Sequence, residues 1–418
     1  MNLKPIYLVL LLVVAGSSIA QEANDLDALR LADTAAKPVE TSKDWHSFSE
    51  AAIGQSFLSK SGTRVLEQRL SVDLLFDKTF APGWRAVLAD RLDVKRRDQP
   101  VIQENVNTLK EAYLSRQMQE NQLLDLGRIN VVNGVASGYN PTDFFRAGAV
   151  RSLVSVDPAS LKKNRLGSVM LRGQHLWNDG SLTALYSPKL AEQANTASFN
   201  PDLGASNNQD RYLLTLSQQL SDGIAPQWLI YGKPHQAPQF GVNLTSLLND
   251  ATVLYVEWSS GNSRSLASLA LNGKDDTTFR NRIASGLSYT SNKLTLTFEY
   301  EYNGAGLKSA DWNKLRHGSP IAYGRYRGLQ QYAQELPTKQ EVFFYATWQD
   351  ACINHLDLSA MQKLNLADHS RLTWLEARYR MDKFDLALQV QNNRGDQTSA
   401  YGATTQKHAW QAVLRYYF

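Results

Sequence analysis

Residues 407–418 read KHAWQAVLRYYF, and this stretch decides the fold. Apolar side chains occupy its even positions from 410 onward, with an aromatic residue at each end: Trp410, Ala412, Leu414, Tyr416 and Phe418. The odd positions are mixed and include Lys407 and Arg415. A period of two predicts a strand with one apolar face. Because a bilayer-crossing strand needs about 9–11 residues and carries aromatic residues at both interfaces, the stretch predicts a transmembrane strand. An ordinary amphipathic strand is the alternative.

The first twenty residues have the pattern of a secretory signal peptide. Lys4 supplies a positive start, residues 6–15 are mostly apolar, and the small residues Ser18 and Ala20 precede Gln21. The apolar run is too short to favour a retained transmembrane helix. We therefore expect a signal peptide at 1–20, a periplasmic N-terminal segment at 21–45 and a membrane domain at 46–418. No Cys lies at the predicted cleavage site, so a lipid anchor is not expected.

The composition excludes several classes of protein. The mean hydropathy is −0.37 and no long apolar stretch follows Gln21, which excludes a helical inner-membrane protein but suits a barrel whose alternate residues face lipid. The net charge of +4, from 44 basic and 40 acidic residues, argues against a nucleic-acid partner. Cys352 is the single cysteine and cannot form an intrachain disulfide. Scattered histidines and the lack of a glycine-rich phosphate loop predict no metal, cofactor or nucleotide.

Alternation of apolar and polar residues recurs along the chain and predicts an all-β, antiparallel transmembrane barrel. Residues 294–302 show it most clearly, with Glu299 and Glu301 on the polar face. Residues 102–124 also fit a helix, but their β context favours strands near 108–117 and 122–132. Seventeen strands follow from Leu66 onward. A periplasmic N-terminus requires an even number, so a further strand near 46–58 gives eighteen, and sixteen is the alternative.

The lengths of the links test this topology. If the C-terminus is periplasmic, every second link should be short. The links so placed are indeed brief: 382–383, 351–354, 291–293, 249–250, 221–225, 178–180, 118–121 and 77–82. Six of the eight alternate links are predicted to be long, among them 95–107, 133–166 and 303–339. A soluble sandwich gives no reason for such sorting.

The link 133–166 is predicted to fold into the lumen and narrow it. Gly134, Gly138 and Asn140-Pro141 favour turns, and Phe144-Phe145 is an unusual pair for a solvated loop. An external loop packed on its neighbours is the alternative.

Charged side chains on the polar faces predict a lumen that binds polar solutes. Arginine pairs well with carboxylates, so anionic solutes are included. Mutual neutralisation of these charges in a wet lumen is the alternative. The candidate pore-lining residues are Arg128, Asp143, Arg146, Arg151, Arg172, Arg211, Glu299, Glu301, Arg378 and Arg380.

Two segments resemble known barrels. Gly127-Arg128-Ile129-Asn130, then Gly134 and Asn140-Pro141-Thr142-Asp143, resemble a strand-and-loop segment of alginate-export-type and related porin-like families. That resemblance implies passive passage of polysaccharides or other solutes, with Arg128 and Arg146 lining the pore. The net charge of the chain is only weakly positive, which differs from what a channel dedicated to polyanions would require.

The last strand resembles the terminal strand of Gram-negative outer-membrane barrels. The resemblance implies that the barrel-assembly machinery recognises an assembly signal formed by Trp410, Leu414, Tyr416 and Phe418. It also implies an outer-membrane location, with contacts to outer-membrane lipid and lipopolysaccharide. Periplasmic export proteins are further candidate partners.

The predicted function is an outer-membrane channel for polar solutes, including anions, or for a polysaccharide. One alternative is a plugged barrel that moves hydrophobic compounds or anchors a periplasmic export assembly. A lipid hydrolase is another, since His317-Gly318-Ser319 has the spacing of a catalytic pair. A nucleophile and its base need rigid support, and this motif falls in a predicted loop. No catalytic residue is therefore expected.

Overall fold

The computed structural model describes residues 44–59, 61–98, 101–221 and 223–418. The predicted signal peptide, and the predicted periplasmic segment as far as residue 43, lie outside these residues. The described residues form eighteen strands: β1 (Trp45–Leu58), β2 (Arg64–Ala81), β3 (Trp84–Asp98), β4 (Val101–Gln119), β5 (Gln122–Ile129), β6 (Ser168–Trp177), β7 (Gly180–Ser187), β8 (Arg211–Gln218), β9 (Ile224–Gly232), β10 (Gln239–Asn249), β11 (Thr252–Ser263), β12 (Thr278–Thr290), β13 (Leu294–Asn303), β14 (Gln340–Trp348), β15 (Leu356–Asn365), β16 (Arg371–Arg380), β17 (Phe384–Arg394) and β18 (Gln406–Tyr417).

The links between the strands contain the described helices. These are α1 (Pro158–Lys163), α2 (Leu203–Ser206), α3 (Leu266–Ala270), α4 (Ser309–Arg316) and α5 (Pro320–Ala333). No helix among the described residues is long and apolar enough to cross a membrane.

The strands close into one antiparallel barrel. Each strand pairs with its neighbours in sequence, and β1 pairs with β18, placing Glu50 opposite Arg415 and Ala51 opposite Leu414. The predicted eighteen-stranded barrel is confirmed, including the strand required near residues 46–58. The alternative helix at 102–124 is wrong, because β4 and β5 occupy that stretch as paired strands.

One predicted link is wrong. Residues 95–107 do not form a long loop, because β3 continues to Asp98 and β4 begins at Val101. The two strands have 15 and 19 residues, more than the roughly 9–11 that a bilayer requires. Backbone pairing continues through polar partners such as Arg96 and Gln103. Beyond the apolar layer a strand needs no alternation to remain paired, so the sequence pattern misses the extension.

The outer surface carries the apolar belt of a membrane protein. Leu386 and Leu388 on β17 are each 51% exposed, and Trp410 and Leu414 on β18 face the same way. Their neighbours Asp385, Ala387 and Val413 point inward and are buried. Because a closed barrel satisfies the backbone hydrogen bonds of every strand, it can cross a bilayer with this surface against lipid.

The two ends of the barrel differ as predicted. At one end, here called the short-turn end, the links are brief, and the chain terminus Phe418 lies there. At the other, the long-loop end, the links include 130–167, 188–210 and 304–339. The long links fold over and into the lumen and bury side chains there. One buried cluster joins loop and wall through Phe145, Ile129, Met170, Leu213 and Tyr231.

Candidate functional site

The link 130–167 lies inside the barrel, as predicted. Phe144 stacks on Tyr231 of β9 with ring centroids 4.5 Å apart, and Phe145 is buried beside the same ring. The guanidinium of Arg211 lies 4.4 Å from the centre of the Phe145 ring. Phe144 and Phe145 therefore hold the loop against the barrel wall, because their rings pack on wall side chains and are shielded from solvent.

Carboxylates of the wall hold the tip of this loop by its backbone. The Ala136 N–H donates to Glu257 Oε1 at 2.6 Å. The N–H groups of Ser137 and Gly138 donate to the two oxygens of Glu299 at 2.7 and 2.8 Å. These bonds give three consecutive backbone N–H groups of the loop a partner inside the barrel. We call residues 134–138 together with Glu257 and Glu299 the loop latch.

Two glycines allow the loop to approach the carboxylates so closely. Gly134 has φ +79°, a left-handed conformation, and a Cβ there would overlap the Glu257 carboxylate. At Gly138 a Cβ would overlap Glu301 and the Phe343 ring. Both glycines are therefore required at the latch for space, and Gly134 is required for its backbone conformation as well.

Two further acidic residues lie directly behind the latch. Glu301 of β13 and Glu341 of β14 are opposite each other in the ladder, and both are buried. Glu341 accepts a hydrogen bond from the Tyr401 hydroxyl at 2.7 Å, and Lys363 Nζ lies 3.9 Å from it. Within the described part of the chain, neither oxygen of Glu301 has a hydrogen-bond partner. The predicted residues Glu299 and Glu301 thus belong to the support of the loop.

A second contact ties the loop to the long link 304–339. Arg146 pairs with Glu335 at 2.7 Å, and the Tyr139 hydroxyl donates to the same carboxylate at 2.6 Å. Burial opposes ionisation of Glu335, but the positive charges of Arg146 and Arg282 outweigh it and hold its pKa below the ordinary value. Glu335 is therefore an anion at neutral pH, and the pair stays charged.

The remaining predicted pore-lining residues are mostly engaged with the protein. Arg172 pairs with Asp125 at 2.8 Å, and Asp143 pairs with Arg165 inside the loop. Arg151 donates to the backbone carbonyls of Asn107 and Asn200. On the wall of the short-turn half, Arg378 binds Glu376 and Asp385, and Arg380 binds Asp357.

Arg128 resembles Glu301 in lacking such partners. It is 3% exposed, and neither terminal nitrogen of its guanidinium has a hydrogen-bond partner in the described part of the chain. Solute binding by Arg128 and by the other nine residues stays a prediction, because their placement in the lumen does not test it.

Open space remains on one side of the lumen. A cavity of about 280 Å³ lies between the loop segment 153–156 and the wall formed by β1–β4 and β16–β18. Its lining is mixed, and its polar part carries both charges: Glu67, Arg69, Lys95, Arg97, Glu104, Gln389, Gln391 and Gln411. The sequence pattern indicates that Arg69 faces the lumen. It gives no sign that the loop leaves this side open, because that depends on where residues 134–146 are fastened.

The catalytic alternative finds no supporting geometry. The Ser319 hydroxyl caps the N-terminus of α5 by accepting the Ala322 N–H, and His317 Nδ1 contacts the Asn313 carbonyl. Both residues are exposed. This is ordinary helix capping rather than a nucleophile with an oriented base. Among the described residues, no cluster of His, Cys, Asp and Glu could hold a metal ion.

The fold and the lumen define a transmembrane β-barrel of the porin type, with a loop folded inside. No protein-family model matches the chain, and no curated protein matches its sequence. Solved structures do match its fold. Pseudomonas aeruginosa OccK5 (OpdH) superposes with a TM-score of 0.53 at 10% identity, over 90% of this chain and 97% of that one.

Two further structures give the same result. Acinetobacter baumannii OccAB1 matches with a TM-score of 0.56 at 8% identity, over 92% of this chain and 99% of that chain. The outer membrane protein OprD from P. aeruginosa matches at 0.51 and 9%, over 90% and 94% of the two chains. At such identities the likeness shows the fold. It supports a porin-like barrel and gives the resemblance to alginate-export-type proteins no support.

Proposed function

We propose that this chain is a channel in the outer membrane of a Gram-negative bacterium and passes small polar solutes, anions among them. The off-centre cavity between segment 153–156 and the β1–β4 and β16–β18 wall is the observation that carries the proposal. Its amide and charged side chains can replace the water around a polar solute. A volume of about 280 Å³ favours small solutes over a polysaccharide chain.

A tryptophan introduced into the cavity should block the channel. Ala409 lines the cavity, and its position on β18 points inward between Gln391 and Ser56. We expect Ala409→Trp to lower single-channel conductance in planar bilayers by about half or more, because the conducting cross-section shrinks. Ala412→Trp, three residues along on the lipid face, is the matched control and should leave conductance unchanged. Equal conductance in the two variants, or no pores from the wild type, would exclude this path.

We also infer that Trp410, Leu414, Tyr416 and Phe418 act as the assembly signal. Phe418 is 49% exposed and packs edge-on against Tyr416 at 5.1 Å, while its N–H donates to the Ser47 carbonyl at 3.1 Å. The ring itself contributes little to the closed barrel, which favours a role before closure.

Deletion of Phe418 should therefore impair insertion more than stability. In cells we expect most of the truncated chain to remain uninserted, measured as the heat-modifiable fraction in outer-membrane preparations. After refolding in vitro, the truncated barrel should unfold in urea close to the wild type. Phe384→Ala, which removes an exposed aromatic from the same rim, is the control. Normal insertion of the truncated chain would contradict the assignment. Contacts with periplasmic export proteins remain a prediction.

A further inference from the structure

The outward-facing surface at the long-loop end is markedly uneven. On β7, β8, β10, β12 and β13 its outermost residues are aromatic: Tyr186, Tyr212, Phe240, Phe279 and Tyr302. Such aromatic residues are usual where a barrel meets the membrane interface. On β16–β18, β2 and β3, outward positions near the same end instead carry cationic or titratable side chains: Arg371, Arg394, His408, Arg64 and Arg96.

Strand alternation fixes the direction of these side chains. Arg371 lies two residues before Thr373 and four before Leu375, which is 49% exposed in the apolar belt. Arg394 continues the outward row of Leu386, Leu388 and Val390. The intervening Leu372 and Asn393 are buried toward the lumen. Arg371 and Arg394 therefore lie on the outward face, in line with the apolar belt and outside the channel.

The pairing of two arginines is unfavourable for the isolated chain. Arg371 and Arg394 are directly opposite in the β16–β17 ladder, and both are exposed. Like charges at directly opposed positions destabilise a sheet. Within the described part of the chain, neither guanidinium has an acidic partner. A bound dianion between the two forks would turn this repulsion into two bidentate contacts.

Neighbouring side chains extend the surface along the rim. His408 lies opposite Asn392 on one side and Phe57 on the other, and Phe57 lies opposite Arg64. Arg96 is paired with Gln68 on the next ladder. An amphiphile whose acyl chains lie on the belt would place its headgroup here, among donors that suit phosphate and sugar oxygens.

We propose that these five residues, Arg371, Arg394, His408, Arg64 and Arg96, form a binding surface for the phosphorylated headgroup of lipopolysaccharide. The proposal rests on the outer-membrane location proposed above, but it does not require a conducting lumen. Lipopolysaccharide fits because these side chains lie on the outward face at the loop end of the apolar belt and because its phosphates are negatively charged.

The test is binding of lipid A to the full-length barrel in detergent, followed by native mass spectrometry. We expect Arg371→Gln/Arg394→Gln to bind bisphosphorylated lipid A about tenfold more weakly than the wild type, because two charge-assisted forks are lost. The control Lys274→Gln/Arg325→Gln removes the same charge from exposed positions of two long links at the same end and should bind normally. Arg371→Lys/Arg394→Lys keeps the charge but lacks the guanidinium groups, so its affinity for lipid A should lie between those of the wild type and the Arg→Gln variant.

The remaining arms identify the ligand. Dephosphorylated lipid A should bind to the wild type and to the Arg→Gln variant equally, because it lacks the phosphates. Inorganic phosphate at about 10 mM in the assay should displace little lipid A from the wild type. Equal lipid A binding by wild type and the Arg→Gln variant would overturn the proposal. So would an equal loss in the control, which indicates a net-charge effect, or full displacement by phosphate, which indicates a free-anion site. Heat-modifiability of each variant establishes that it is folded. If the Arg→Gln variant does not fold, the Arg→Lys variant is compared with the wild type instead.

Discussion

Gly138→Val is expected to open the lumen. The new side chain would overlap Glu301 and the Phe343 ring, neither of which can move far, since Phe343 is fully buried and Glu301 lies within the wall. The Ser137 and Gly138 N–H groups would then leave Glu299, and the loop tip would lose its charge-assisted contacts. Because the loop occupies the centre of the barrel, its release should raise single-channel conductance by about threefold or more.

Gly324→Val is the matched control for this experiment. Gly324 lies in the exposed α5 helix, where an added Cβ meets nothing within 4 Å. The same glycine-to-valine change there should leave conductance unaltered. Removal of residues 137–160 should act in the same direction as Gly138→Val and more strongly. If the deletion leaves conductance unchanged, the loop does not limit the pore.

The same pair of variants addresses the plugged-barrel alternative. If the wild type conducts few ions and only the variant conducts well, the loop acts as a plug rather than as a constriction. If both conduct and differ in size selectivity, the off-centre cavity is the path. A variant of the loop latch can distinguish a plug from a constriction, because the latch determines how much of the cross-section of the lumen the loop fills.

Local sequence pattern predicts the wall of this barrel better than its contents. Alternation along residues 384–394 or 407–418 reports which face meets lipid, and link lengths report which end is which. Both are local properties of the chain. The position of the loop is set instead by pairs far apart in sequence, such as Ser137 with Glu299 and Arg146 with Glu335. Acidic and basic residues on one polar face look alike whether they contact solute, loop or each other.

In the candidate site, too, local sequence pattern predicts which residues face inward but not what they contact. Arg172 and Arg378 face inward as alternation indicates, yet each lies beside a carboxylate that neutralises it. Gln389 and Gln411 line the open cavity, although an uncharged amide in a barrel strand carries no distinctive signal. The register of β17 against β18 brings these two amides together, because it places Gln389 directly opposite Gln411.

The seam that closes the barrel depends on one buried carboxylate. Glu50 of β1 is 3% exposed and binds three arginines: Arg69 of β2 at 2.5 Å, Arg91 of β3 at 3.1 Å and Arg415 of β18 at 2.9 Å. It therefore joins the first strand to the last and to the next two. The weak alternation of residues 46–58 gives no hint of this role, because closure brings together residues 365 positions apart.

Glu50→Ala should consequently destabilise the whole barrel. Its removal leaves buried guanidinium groups with less compensation, a change that typically costs about 3–5 kcal/mol. Urea unfolding of the barrel refolded into lipid vesicles would measure the loss. Glu192→Ala is the control: its side chain is 80% exposed and lies 3.0 Å from Lys189 in a link away from the seam, so we expect little or no loss of stability. A loss of only about 0–1 kcal/mol from Glu50→Ala would show that closure depends on backbone pairing and that the buried charges at the seam are not required.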